Sequence, residues 1–147
     1  MPKPTPNYKE FEKRVQLYFE SKGLGLKPEF RVEIGACDIK KGHKFDFGCD
    51  DPAVLIECKC HTWMKGVKVP SAKMTIWTEA MYFFSLAPKK YRLIFAVDRE
   101  LRGTESLVAY YLSQSRHLVP AGVEIWEFDG SEGRCVYPAP GRANSES

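Results

Sequence analysis

The stretch Lys44-Phe45-Asp46-Phe47-Gly48-Cys49-Asp50-Asp51-Pro52-Ala53-Val54-Leu55-Ile56-Glu57-Cys58-Lys59-Cys60 decides the fold. Its first residues alternate apolar and polar, the period of a half-buried strand. From Ala53 the chain is apolar on both faces, as a central strand is, until charge arrives abruptly at Glu57 and Lys59. Gly48 to Pro52 lies between them as a turn. A hairpin centred between Asp51 and Pro52, with no bulge to shift it, sets Asp46 directly opposite Glu57. Opposed side chains of an antiparallel pair stand roughly 5 Å apart, where like charges are unfavourable. Two carboxylates so placed invite a cation. Alternation also puts Glu57 and Lys59 on one face of the second strand, with Cys58 and Cys60 on the other.

Upstream, Phe30, Val32 and Ile34 alternate with Arg31 and Glu33 as a further strand, followed by a polar turn at Lys40, Lys41 and Gly42. Before it, Asn7 with Glu10 three residues later has the form of a helix cap, and Tyr8, Phe11, Val15, Tyr18 and Phe19 recur at helical spacing up to Gly23. Helical phase places Glu12 at the border of this apolar stripe and turns Glu10 toward water. Downstream, His61 to Pro70 reads as a loop carrying Lys65 and Lys68, and Ser71 caps a largely apolar helix that includes Lys73 and runs to about Leu86. Tyr91 to Val97 is a buried-type strand, Thr104 caps a helix to about Arg116, and Val123, Ile125 and Phe128 mark a last strand. Residues 129–147, rich in Gly, Pro and Ser, read as a loosely attached C-terminal tail, leaving residues 1–128 as one domain. The order is helix, three strands, helix, strand, helix, strand. Short turns among the first three strands imply antiparallel pairing and the helical crossovers imply parallel pairing, so the class is α/β with a mixed sheet between helices.

A chain of 147 residues with 44% hydrophobic and 28% charged residues falls among globular proteins able to bury one core. It contains no apolar run of the roughly 20 residues a membrane helix needs, and the N-terminus lacks the apolar core of an export signal. The five cysteines show no disulfide framework, which suits free thiols in the cytoplasm. Net charge is +3. Residues 1–73 carry 14 Lys/Arg against 10 Asp/Glu, and the remainder 8 against 9, an asymmetry compatible with a polyanionic partner for the first half.

Asp46 and Glu57 offer the carboxylate pair that Mg²⁺ takes together with waters and phosphate oxygens. Lys59 is placed to orient an attacking water or to stabilise transition-state charge. Asp46, an apolar strand, and Glu57-Cys58-Lys59, in this order of elements, resemble the PD-(D/E)xK nuclease superfamily of type II restriction endonucleases and Holliday junction resolvases. The resemblance covers roughly residues 8 to 97. It implies a restriction endonuclease-like αβββαβ core and a Mg²⁺-dependent endodeoxyribonuclease, with Mn²⁺ as a substitute. It further implies metal ligation by Asp46, Glu57 and the Cys58 carbonyl, Lys59 as the catalytic lysine, and Glu12 as a helix acid beside the metal. DNA is the implied partner, with phosphate contacts from Lys65, Lys68 and Lys73, and a two-fold dimer is the simplest arrangement for cutting both strands. Phe45 stands where the motif has proline. The glutamine that many relatives carry on the next helix is missing, with Glu79 and Tyr82 on that helix instead. Two other readings stand beside this one: a binding module that keeps the scaffold without cleavage, and a zinc site built from Cys49, Cys58, Cys60 and His61. His43 and His117 read as surface or turn residues.

Overall fold

The computed structural model describes residues 7–61 and 71–138. The first helix, α1 (Tyr8–Ser21), starts where the Asn7 side chain accepts the Glu10 amide at 3.1 Å, as the cap predicts. It ends in a Schellman motif: Gly23 at φ +96° donates to Glu20 O, and Leu24 N donates to Phe19 O. Phe11, Val15 and Phe19 form its buried face.

Six strands follow in one sheet: β1 (Lys27–Ile34), β2 (Lys41–Asp50), β3 (Ala53–Lys59), β4 (Arg92–Asp98), β7 (Val123–Asp129) and β8 (Glu132–Tyr137). They lie side by side in that order. Pairing is antiparallel for β1–β2, β2–β3 and β7–β8, and parallel for β3–β4 and β4–β7. The sheet is therefore mixed, as the turns and crossovers imply. A small hairpin of β5 (Leu101–Arg102) and β6 (Glu105–Ser106) precedes α3 (Leu107–Ser115), and α2 (Ser71–Ser85) bridges β3 and β4 in sequence. Among the described residues no helix is long and apolar enough to cross a membrane.

Two apolar layers sandwich this sheet. On one face α1 covers Val54, Ile56, Cys58, Ile94, Ala96 and Phe128. On the other, α2 and α3 cover Leu55, Phe95, Val97, Val123 and Ile125. Alternate residues of β3 thus enter opposite layers, which is why that segment is apolar on both faces.

Three expectations need correction. Residues 132–137 are not a loose tail but β8, paired to β7 through an Asp129-Gly130-Ser131-Glu132 turn with Gly130 at φ +62°. Gly-Ser at the two loop positions is a hairpin signal, masked here by the Gly/Pro/Ser-rich composition around it. The cap of α3 is Ser106, whose hydroxyl accepts the Ala109 amide at 3.0 Å, while Thr104 sits in the β5–β6 turn. Lys41 and Gly42 belong to β2, so the turn before that strand ends sooner than the polar residues suggest.

The Schellman glycine yields a stability test. A Cβ at Gly23 meets nothing within 4 Å, so substitution there strains only the backbone. Gly23→Ala is expected to lower unfolding stability by about 1–2 kcal/mol. Urea denaturation measures it, and an unchanged midpoint would show that φ at residue 23 relaxes freely.

Candidate functional site

The β2–β3 hairpin has the predicted register, with Phe47 opposite Ile56, Gly48 opposite Leu55, Cys49 opposite Val54 and Asp50 opposite Ala53. The next opposed residues are Asp46 and Glu57, and there the regular ladder stops. Side chains take over its hydrogen bonds: Glu57 Oε1 accepts the Asp46 amide at 3.0 Å, and Asp46 Oδ2 accepts the Cys58 amide at 2.7 Å. On the other side, the β1–β2 ladder also omits the pair Glu29 and Asp46. Glu29 has φ +52°, a left-handed conformation uncommon outside glycine. Phe45 packs in the α2/α3 layer whereas Phe47, two residues on, packs in the α1 layer. Ordinary alternation would keep both on one face, so β2 twists sharply at Asp46.

Carboxylates are thereby concentrated where the strands part. Glu57 is buried, and Lys59 Nζ lies 3.7 Å from its Oε2. Burial first, and then the Asp46 charge, push the Glu57 carboxyl up to about 7, against the pull of Lys59 and the Asp46 amide. Burial likewise raises Asp46, opposed by the Cys58 amide and Lys59. Glu12, half-buried on α1, is raised by burial and by Asp46, which places its charge in the same cluster. Glu10 is exposed, as helical phase requires. Main-chain N–H and C=O of one strand residue point toward the same neighbour, so the Cys58 carbonyl opens on this gap too.

On the α2 side lie His43, which the sequence places on the surface or in a turn, and Glu79, which stands on that helix in place of the missing glutamine. His43 is no surface residue: it lies on β2, stacks on Phe83 at 4.1 Å and meets the edge of Phe45. Its Nε2 is shut off from solvent without a hydrogen-bond partner among the described residues. Burial lowers its pKa, while Asp46 and Glu79 pull the other way. Glu79 is exposed on α2 with its charge acting on His43, and Tyr82 is 61% exposed. His43 shares Phe45's face of the strand, a signal that its neighbours Lys41 and Gly42 obscured. His117 is exposed.

Lys73 is exposed on the first turn of α2, and its charge reaches His61. Lys65 and Lys68 lie outside the described residues. The four side chains of the zinc alternative are committed elsewhere. Cys49 Sγ donates to Pro52 O, Cys58 and Cys60 are buried against α1, and His61 Nδ1 accepts the Trp77 indole N–H at 2.8 Å. Burial raises all three thiols.

No family model, curated protein or solved structure matches this chain.

Two pH effects of opposite sign follow. Glu57 titrates above its ordinary 4.5 in the folded state, so its own contribution to stability is complete below pH 4.5 and is lost as pH rises toward about 7. Glu57→Gln is expected to remove this fall and to stabilise the metal-free protein at neutral pH, and a variant less stable than wild type at pH 8 would refute the charge argument. His61 behaves inversely. Burial, Lys73 and Lys59 hold its pKa down to about 4 from 6.5, so its contribution is complete above pH 6.5 and lost as pH falls toward 4. Denaturation of wild type and His61→Gln between pH 7 and 4 should give a shallower acid loss in the variant, and parallel curves would exclude His61 as the source.

Proposed function

We propose that this chain is a metal-dependent nuclease with a restriction endonuclease-like core, hydrolysing phosphodiester bonds in DNA with Mg²⁺, or Mn²⁺ in its place. The observation that carries the reading is the cross-bonded pair Asp46 and Glu57 with Lys59 beside it, where two interior strands part toward the C-terminal end of β3.

The donor set suits a hard cation. Among the described residues no three His, Cys, Asp or Glu side chains form a metal cage. An ion here would rest on two carboxylates, the Cys58 carbonyl, and oxygens of water and phosphate, which is how Mg²⁺ is usually held. Each carboxylate spends one oxygen on a main-chain amide, which fixes its direction and leaves the other for the ion or, at Glu57, for Lys59. Bound there, Mg²⁺ supplies an acidified water and neutralises charge building on the phosphodiester.

The chain's own groups would do the rest. Lys59, positioned by Glu57, orients the attacking water and stabilises the charge of the transition state. Glu12 adds a third carboxylate from α1. Lys73, with Lys65 and Lys68, would bind flanking phosphates without regard to sequence. A two-fold dimer would bring two such sites to a duplex.

Supercoiled, linear, branched and single-stranded DNA, and RNA, incubated with Mg²⁺, Mn²⁺ or chelator, test the reading. Cleavage is expected with either metal and not with chelator, and Asp46→Ala or Glu57→Ala should abolish it in folded protein. Lys59→Ala should lower single-turnover rates by about 10² to 10³ with little loss of affinity. Equal rates for wild type and Lys59→Ala would remove Lys59 from the mechanism. Binding with no wild-type cleavage on any substrate would favour the binding module instead.

A further inference from the structure

β1 forms one edge of the six-stranded sheet, with β2 on one side and no strand on the other among the described residues. An edge strand carries amide and carbonyl groups without strand partners, and natural edges are usually blunted by proline, lysine, bulges or short length. Here the blunting stops early. Pro28 and the left-handed Glu29 interrupt the start of the strand, but Phe30 to Ile34 run in unbroken register against Phe45 to Lys41. Val32 and Ile34 are buried in the α2/α3 layer with Phe30 packed against it, which turns Arg31 and Glu33 to the opposite face.

Arg31 and Glu33 are both exposed, and neither has an ion-pair partner among the described residues. Arg31 instead stands directly opposite Lys44, a like charge that destabilises a strand pair. Its guanidinium lies over Gly42, where any Cβ would collide with it. Two opposite charges thus sit on a free edge, each without its counter-charge.

A second copy of the same strand supplies both. When Phe30-Arg31-Val32-Glu33-Ile34 meets itself antiparallel about a two-fold axis at Val32, Arg31 faces the partner's Glu33 on either side of the axis, and Phe30 faces the partner's Ile34. A slip of two residues sets Arg31 against the partner's Arg31, or Glu33 against the partner's Glu33. A slip of one sets the charged face of one copy against the apolar face of the other. Charge on an edge ordinarily repels a passing strand, but alternating sign admits a partner with the reciprocal pattern.

We propose that β1 is the interface of a homodimer, in which Phe30–Ile34 of two copies pair antiparallel about Val32 and join the two sheets into one. The axis is normal to the sheet, so the α2/α3 layers of both copies stay on one face and the apolar row of Phe30, Val32 and Ile34 continues across the join. Main-chain hydrogen bonds supply affinity, and the two Arg31–Glu33 pairs fix the register. The interface rests on β1 and not on the nuclease reading, so either can fail alone.

Sedimentation equilibrium of the full chain, without metal or nucleic acid, tests the interface. Wild type is expected to be a dimer. Arg31→Glu and Glu33→Arg each turn both ion pairs from attraction to repulsion, and each should raise the dimer dissociation constant about tenfold or more. An equimolar mixture of the two variants should recover the wild-type constant as a heterodimer, because one then presents two negative charges and the other two positive ones. The double variant, with the charges exchanged, should recover it as a homodimer. Such rescue separates lost charge complementarity from a lost fold. A monomeric wild type, a dimer indifferent to either substitution, or failure of the mixture or the double variant to recover it would overturn the proposal. A rescued dimer that cleaves no substrate leaves the interface standing while the nuclease reading fails, and cleavage by a monomer does the reverse.

Discussion

Everything at the proposed centre depends on one exchange of hydrogen bonds, in which the carboxylates of Asp46 and Glu57 take over from the ladder between β2 and β3. A strand pair can part inside a buried sheet only if its amides find other acceptors. Here each strand's carboxylate caps an amide at the point of parting, Glu57 the amide of Asp46 and Asp46 that of Cys58. The same contacts that satisfy the backbone therefore hold two negative charges together. Glu29, in its left-handed conformation on the far side of β2, accommodates the twist that makes the parting possible.

The surrounding layers convert this geometry into electrostatics. β3 is covered on both faces, so Glu57 leaves the core at its charged end without reaching open water. Desolvation therefore outweighs the nearby Lys59 and the amide in setting its protonation. From one layer α1 contributes Glu12, and from the other α2 brings Glu79 toward the His43 ring stacked on Phe83. Charge from Glu12 and Glu79 thus reaches the surroundings of the paired Asp46 and Glu57 from opposite sides of the sheet, and Lys59 is the cation beside Glu57.

The parallel arrangement of β3, β4 and β7 also explains why a second buried carboxylate, Glu127, lies near the first. Their C-terminal ends fall on one edge of the sheet, where loops replace ladder bonds and polar side chains can be admitted. Lys59 and Glu127 end up in one row although 68 positions of sequence separate them. Between them stands Val97 on the central β4.

What the sequence by itself determined were the features set by local periodicity. The Asn7 cap and the Phe11, Val15 and Phe19 stripe defined α1 and the phase of Glu12. The apolar run from Ala53 to Ile56 defined the central strand, and the Asp51-Pro52 turn defined the register that opposes Asp46 to Glu57. The tertiary structure alone decided what depends on distant partners. β8 exists because β7 offers an edge, and its first residues, Glu132-Gly133-Arg134, carry little strand preference of their own. His43 is a site residue because Phe83, forty residues away, stacks on it. The end of the ladder at Asp46, and the buried oxygen of Glu127 that has no hydrogen-bond partner among the described residues, are likewise invisible in composition. Periodicity encodes which face of an element is apolar, but a hydrogen bond gained or lost between elements depends on where the fold brings the second group.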